Sequence, residues 1–269
     1  TRFNVERSIQ IGASCQQVFD TVADYSGWTK WSPWLCAEPD ARVTVTDEPA
    51  EVGSVYAWEG EVVGAGEIEH IHLAPPNLIQ DEIRFLKPFR SKSRVSFELE
   101  PTGNETRLTW GMQGSLPWFM FWMRPMMETL IGMDYDRGLK MLKEWIETGS
   151  IESQTRIHGV TSTGPLSMLG VSGACTISEI SKHMEEAFRQ AESLFQERGL
   201  STDGGMISVY HDFNMKTGIF KFTSGYLVSD SDRNAKQAGG LTGWSTPETQ
   251  ALYVEHVGSY QHLGNAWSA

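Results

Sequence analysis

Between Arg42 and Ser115 the chain offers six runs able to form strands, and no connection between them is long enough for a crossover. The runs lie near Arg42–Thr46, Ser54–Val62, Gly66–Leu73, Leu78–Phe85, Ser91–Glu100 and Thr106–Ser115. Turn-forming residues punctuate them: Glu-Val-Gly53, Val-Gly-Ala-Gly66, Ala-Pro-Pro-Asn77, Lys-Pro88 and Pro-Thr-Gly-Asn104. Parallel neighbours need a connection of about a dozen residues, so consecutive runs are expected to pair antiparallel, as a meander.

A single long helix follows. From Met126 to Glu147, the residues Met127, Leu130, Ile131, Tyr135, Leu142, Trp145 and Ile146 recur at steps of three and four, the signature of one buried face. Glu128, Asp134, Asp136, Arg137, Lys140, Lys143 and Glu144 fill most of the rest. Gly132 and Gly138 each cost roughly 1 kcal/mol relative to Ala in a helix interior. They suit places where a packed strand or a ligand must approach the backbone. Trp118–Met123, just before the helix, is apolar; Pro117 marks a start and Pro125 a kink. Upstream, Phe3–Ile11 alternates as a half-buried strand does, and Ser14 is placed to cap a short helix burying Val18, Phe19, Val22 and Ala23. Trp28, Trp31 and Trp34 follow at three-residue steps, as a short helix or turn over one mouth of the sheet. The expected class is α+β, an antiparallel sheet curved round its terminal helix.

At 269 residues the chain is long enough for two domains, and a net charge of −12 with no evident cluster of Lys and Arg argues against direct nucleic-acid binding. Cys15, Cys36 and Cys175 are odd in number and far apart, which fits a reducing compartment better than a disulfide framework or a metal site. No stretch has the length of a membrane span and no signal-peptide core opens the chain, so a cytoplasmic protein with no membrane partner is expected. Phosphate-loop, nucleophile-elbow and zinc spacings are missing; no cofactor, metal or catalytic residue is assigned.

The first domain is expected over residues 1–149, a polar linker or at most one joining strand over 150–165, and a second α+β domain over 166–269. The latter begins with a strand at Met168–Ser172 and a helix from about Ile177 to Arg198. That helix carries Ile180, Met184, Phe188, Ala191 and Phe195 on one face and is closed by Gly199. Strands at Met206–His211 and Ile219–Val228 follow, with Asp212 and Asn214 as turn residues between them. A loop at Ser229–Gly240 leads to strands at Leu241–Ser245 and Gln250–Val257. Strand–helix–strand–strand then starts again, and this second unit is incomplete at Ala269, as in a truncated domain.

The segments WSPW, GSVYAWEGEVVGAGEIEHI, IRFLKPFRSKSRVSFEL, TRLTWGM and GMDYDRGLKMLKEWIE resemble the bacterial polyketide-cyclase-like branch of the START and birch-allergen (SRPBCC) superfamily. The resemblance covers Arg2–Gly149 and implies a helix-grip fold with a deep apolar cavity between sheet and helix. SVYHDFNMKTGIFKFTSGYLV and LYVEHVGSYQHLGNAW resemble the gyrase-inhibitor-like, or AraC-type effector-binding, family. Its duplicated unit implies ligand sensing. No helix-turn-helix accompanies it, so any effect on transcription would need a protein partner. The pocket carboxylate of that family lies in a late segment that cannot be mapped here.

For the first cavity the candidate lining residues are Trp34, Tyr56, Trp58, Glu82, Phe85, Trp110, Met112, Trp122, Met127, Ile131 and Tyr135; ordinary core packing is the alternative for each. For the second they are Tyr210, Tyr226, Trp244, Tyr253, Glu255, Tyr260 and Trp267. Strand alternation sets His70 and His72 on one face, where two imidazoles can chelate a metal; with no third ligand evident, a solvated face or hydrogen-bonded histidines is the expected reading. Glu67 and Glu69 fall on the other face, and Glu59, Glu61 and Glu82 are ambiguous. The expected function is binding or sensing of hydrophobic or amphipathic small molecules, with a protein partner or homo-oligomer possible. The alternative is an enzyme of cyclase, dehydratase or hydrolase type using a pocket carboxylate.

Overall fold

The computed structural model describes residues 1–176, 179–214, 217–236 and 239–269. They form two compact units, one of residues 1–158 together with 254–269, the other of residues 159–253.

In the first unit, strands β1 (Arg2–Ile11), β2 (Arg42–Val45), β3 (Val55–Glu59), β4 (Ala65–Ala74), β5 (Leu78–Lys87), β6 (Ser91–Thr102) and β7 (Glu105–Ser115) make a seven-stranded sheet in the order β1-β7-β6-β5-β4-β3-β2. All neighbours are antiparallel. Helix α1 (Cys15–Ala23) starts where the Ser14 hydroxyl accepts from the Gln17 N–H at 3.3 Å, and it buries Val18, Phe19, Val22 and Ala23. The short α2 (Trp28–Trp31) and two single 3₁₀ turns carry the Trp-rich segment over the sheet.

Helix α3 (Arg124–Thr148) lies in the concave face of this sheet. Pro125 produces no kink. It sits in the first turn, where the missing N–H is one the helix could not use. Gly149, at φ +76°, ends the helix in the left-handed conformation that glycine adopts without cost. The deeply buried face is Gly132, Tyr135, Gly138, Leu139, Met141 and Leu142, whereas Leu130 is 42 % exposed. Strand side chains account for the two glycines. A Cβ at Gly132 would stand 2.1 Å from the Arg7 guanidinium, and one at Gly138 would stand 2.8 Å from the Trp110 ring.

The second unit builds a four-stranded sheet from β9 (Leu166–Thr176), β10 (Met206–Asn214), β11 (Ile219–Leu227) and β12 (Thr242–Thr246), in the order β10-β11-β9-β12. Helix α4 (Ile180–Arg198) covers it, with Ala191 and Phe195 against Leu169 and Tyr226. The expected helix start at Ile177 lies outside the described residues. Asp212 belongs to β10, and the turn begins at Asn214, whose Oδ1 and carbonyl receive the Thr217 and Gly218 N–H groups. Part of the stretch expected as a loop is helix α5 (Asp230–Lys236). β9–α4–β10–β11 is one complete strand–helix–strand–strand run. Most of the expected linker is strand β8 (Ser153–Thr163), which pairs with β13 (Thr249–Gly258) in a two-stranded ribbon. The short helix α6 (Gly264–Ser268) follows β13.

Candidate ligand cavity

A cavity of about 380 Å³ lies in the first unit between the sheet and α3. Nine candidates line it: Trp34, Tyr56, Trp58, Phe85, Trp110, Met112, Met127, Ile131 and Tyr135. Strand alternation and the helical step of three or four bring them to one place. Phe3, Trp28, Ile68, Ile83 and Val95 join them, although only their apolar character and inward register signalled it. The wall is built on stacked rings. Tyr135 lies on Trp110 at 3.9 Å and 12°, Trp110 on Phe97 at 5.1 Å and 28°, and Trp34 meets Trp110 edge-on at 5.8 Å. Burial pushes the Tyr56 hydroxyl up to about 12 and the Tyr135 hydroxyl upward as well, so both stay neutral phenols.

Two candidates fall elsewhere. Trp122 stands 65 % exposed in the 3₁₀ segment Trp118–Met123, which begins beyond the end of β7 and buries none of its residues. Glu82 points to the outer face, because Asp81, Ile83 and Phe85 set the inward register of β5. There it meets Arg84 at 3.1 Å and Lys92 at 3.3 Å, which hold its carboxyl below the usual range. Glu67 and Glu69 share this face and also grip Arg84, at 2.7 and 2.6 Å.

The carboxylate that does line the cavity, alone among the described residues, is Asp134. It accepts from the Trp34 indole N–H at 3.0 Å and from Arg137 Nη2 at 2.7 Å. Arg137 Nη1 reaches the Pro33 carbonyl, Asn265 Oδ1 at 3.1 Å and Ser268 Oγ at 2.7 Å. Composition had placed Asp134 on the solvent face, yet it is three residues from Ile131 and next to Tyr135, on the apolar stripe itself.

His70 and His72 do not share a face. A β-bulge at Ile71 pairs His70 with Asp81 and His72 with Gln80, leaving His70 fully buried and His72 exposed. His70 Nε2 lies 2.9 Å from the Ala23 carbonyl and must therefore carry a hydrogen. Nδ1 faces Asp81 Oδ1 at 2.6 Å, and the Tyr25 ring stacks on the imidazole at 3.9 Å. Burial drives the Asp81 carboxyl above its ordinary range, against the pull of His70. Burial, reinforced by Asp81, drives the Tyr25 hydroxyl up. None of the three lines the cavity. Among the described residues no three His, Cys, Asp or Glu side chains are grouped to hold a metal.

The second set of candidates is divided between the two units. Tyr226 packs on Phe195 and Phe188 in a core, and Tyr210 donates to Met184 Sδ at 3.1 Å beside another. Trp244 sits on β12 and Tyr253 on β13. Glu255, Tyr260 and Trp267 lie in the segment that groups with the first unit. Glu255 pairs there with His158 and Arg156, while Tyr260 and Trp267 are exposed.

A curved antiparallel sheet gripping one long helix around an apolar cavity defines the helix-grip class. The chain belongs to the polyketide cyclase/dehydrase and lipid transport family, whose sequence profile matches residues 2–147. Among solved structures it is similar to protein CV1439 from Chromobacterium violaceum, at 17% identity over 54% of this chain and 98% of that one, with a TM-score of 0.42. It is also similar to the Aha1 dimer from Colwellia psychrerythraea, at 18% identity over 54% and 97% of the two chains, with a TM-score of 0.40. A third is protein MLL2253 from Mesorhizobium loti, at 15% identity over 55% and 99%, with a TM-score of 0.43. No curated protein matches the sequence. No helix among the described residues is long and apolar enough to cross a membrane.

Proposed function

We propose that the first unit binds one hydrophobic or amphipathic small molecule, aromatic or polycyclic in shape, between its sheet and α3. The observation that carries this is the cavity of about 380 Å³ walled by Trp34, Tyr56, Trp58, Trp110 and Tyr135. That volume is within the range of small-molecule sites, and flat rings give a flat ligand large contact at fixed geometry. Binding is favoured over acid–base catalysis because the lining carboxylate, Asp134, is already engaged by Arg137 and Trp34. Each of its two oxygens already accepts one of these bonds, so the carboxylate is turned to protein donors. A sensing role for the second unit is the further part of this reading. Its support is the run β9–α4–β10–β11 and the effector-binding resemblance of the segments that contain β10, β11 and β13.

The test is titration of the intact protein with N-phenyl-1-naphthylamine, a neutral dye that fluoresces when desolvated. Saturable binding at one site is expected, lost in Ile131→Trp and in Met127→Trp, each of which fills the cavity from α3 while the circular dichroism spectrum stays native. A dye that fails to bind, or binds both filled variants as it binds the wild type, overturns the reading.

A further inference from the structure

We propose that the end of the sheet formed by the β5–β6 turn and the segment after β7, which the cavity lining reaches, is a docking surface for an anionic lipid bilayer. This rests on the cavity reading and adds the place where an apolar ligand would enter. Strands β5 and β7 finish at this end and β6 begins there. Cavity-lining Phe85, Ser91, Ser93, Ser115 and Leu116 sit at these strand ends, beside Leu130 of α3. The connections beyond them are unusually apolar for solvent-facing chain. Phe89, in the β5–β6 turn, is 82 % exposed, and Trp118, just after β7, is 81 % exposed. Phe119, Phe121 and Trp122 are exposed with them. At the other end of the same strands the turns are Pro-Pro-Asn77 and Gly-Asn104, which are ordinary turn residues.

Charge separates the same way. The chain carries 34 acidic against 22 basic residues, yet residues 84–97 hold Arg84, Lys87, Arg90, Lys92 and Arg94 with no acid. Residues 108–127, from the middle of β7 to the start of α3, hold Arg124, again with no acid. The expectation that basic residues are nowhere clustered fails at this edge. Arg84 is spent on the outer face, and the exposed pairs Lys87–Glu59, Lys92–Glu82 and Arg124–Glu128 offset part of the charge. Glu61, in the β3–β4 connection, is an acid nearby, so the contact is assigned to the β5–β6 turn and the Trp118–Met123 segment. Tryptophan and phenylalanine settle at the boundary of headgroups and acyl chains, and Lys and Arg are drawn to anionic headgroups. A second copy of the chain is the competing occupant, because Trp, Phe, Met and Arg are also the residues enriched in protein interfaces.

The test is co-sedimentation of the intact chain with phosphatidylcholine–phosphatidylglycerol vesicles and with phosphatidylcholine vesicles, with sedimentation velocity run in parallel. Binding to the mixed vesicles is expected, weakened by salt. It should fall about tenfold in Trp118→Ser/Trp122→Ser and about tenfold in Arg90→Glu/Lys92→Glu, because both kinds of contact contribute. A chain that stays in the supernatant with mixed vesicles overturns the proposal, as does wild-type binding by the double Trp variant. Concentration-dependent dimers without vesicle binding also overturn it and assign the patch to a second copy. N-phenyl-1-naphthylamine binding in solution separates the two readings: if it persists while vesicles fail, only the docking surface is lost.

Discussion

On the inner side of β4, the His70 ring lies between two oxygen atoms, the Ala23 carbonyl at Nε2 and Asp81 Oδ1 at Nδ1. The carbonyl only accepts, so one ring hydrogen is fixed at Nε2, and one further proton is shared between Nδ1 and the carboxyl. Because burial raises the Asp81 pKa, the fold favours the protonated carboxyl, or its equivalent in this pair. The linkage sign follows. The contribution is fully present below the ordinary value of 3.8 and is lost as pH rises through the higher folded value. Asp81→Asn keeps a donor for Nδ1 and removes the titration. The wild type should therefore lose urea resistance relative to the variant as pH is raised from about 4 towards neutrality, checked by denaturation midpoints at each pH. Parallel curves would reject this assignment. Asp81 was not singled out in the sequence, although it is the polar member of the inward series Ile79, Asp81, Ile83 and Phe85. Its pairing with His70 was not legible, because alternation presumes an unbroken ladder and the Ile71 bulge breaks it.

On the scale of elements, the meander and α3 were legible because both are patterned over many residues, and a wrong register would turn an apolar face to water. Ser14 was legible as a cap for a local reason, its hydroxyl meeting an otherwise unpaired N–H within the same turn. The sense of Pro125 was not, since proline both kinks and starts helices and only the true first turn decides which. The helix glycines give a prediction of unequal outcomes. At Gly138 a new Cβ meets the Trp110 ring at 2.8 Å and Pro33 at 3.2 Å, neither of which can swing aside. Gly138→Ala should lose about 1–2 kcal/mol, overpacking outweighing the helix-propensity gain. At Gly132 the obstacle is the tip of the Arg7 side chain, which is free to turn at the expense of its half-exposed pair with Asp136. Gly132→Ala should stay within about 1 kcal/mol of wild type. Urea unfolding of both variants tests the contrast, and equal losses would show that the strand packing is not the reason for these glycines.

Taken whole, the first unit is assembled from two stretches of chain, 1–158 and 254–269, with the entire second unit between them in sequence. No local pattern announces such a return, which is why Glu255, Tyr260 and Trp267 were expected in the second domain. The contacts that fasten the returning stretch fall on the outward side of α3. Arg137 holds Asn265 and Ser268 while it holds Asp134 of the cavity, and Glu144 accepts from His262, from Gln261 Nε2 at 3.0 Å and from the Glu152 N–H at 2.8 Å. Burial pushes the Glu144 carboxyl up, but these donors together outweigh it and bring the pKa below its ordinary 4.5. The sign is opposite to that of Asp81. Stability from Glu144 is present above pH 4.5 and is lost as pH falls through the lower folded value. Amide hydrogen exchange reads this directly, because the Leu263 and Ala266 N–H groups are bonded only within the returning stretch. Their protection factors should fall in Glu144→Gln at neutral pH and in the wild type below about pH 4.5, while amides of β6 and β7 keep theirs. Arg137→Ala should loosen the same amides and also weaken N-phenyl-1-naphthylamine binding, since it leaves Asp134 in an apolar wall without its cation and with the Trp34 indole N–H as its remaining donor. If the amides loosen and dye binding does not change, the returning stretch is fastened to α3 but is energetically separate from the cavity.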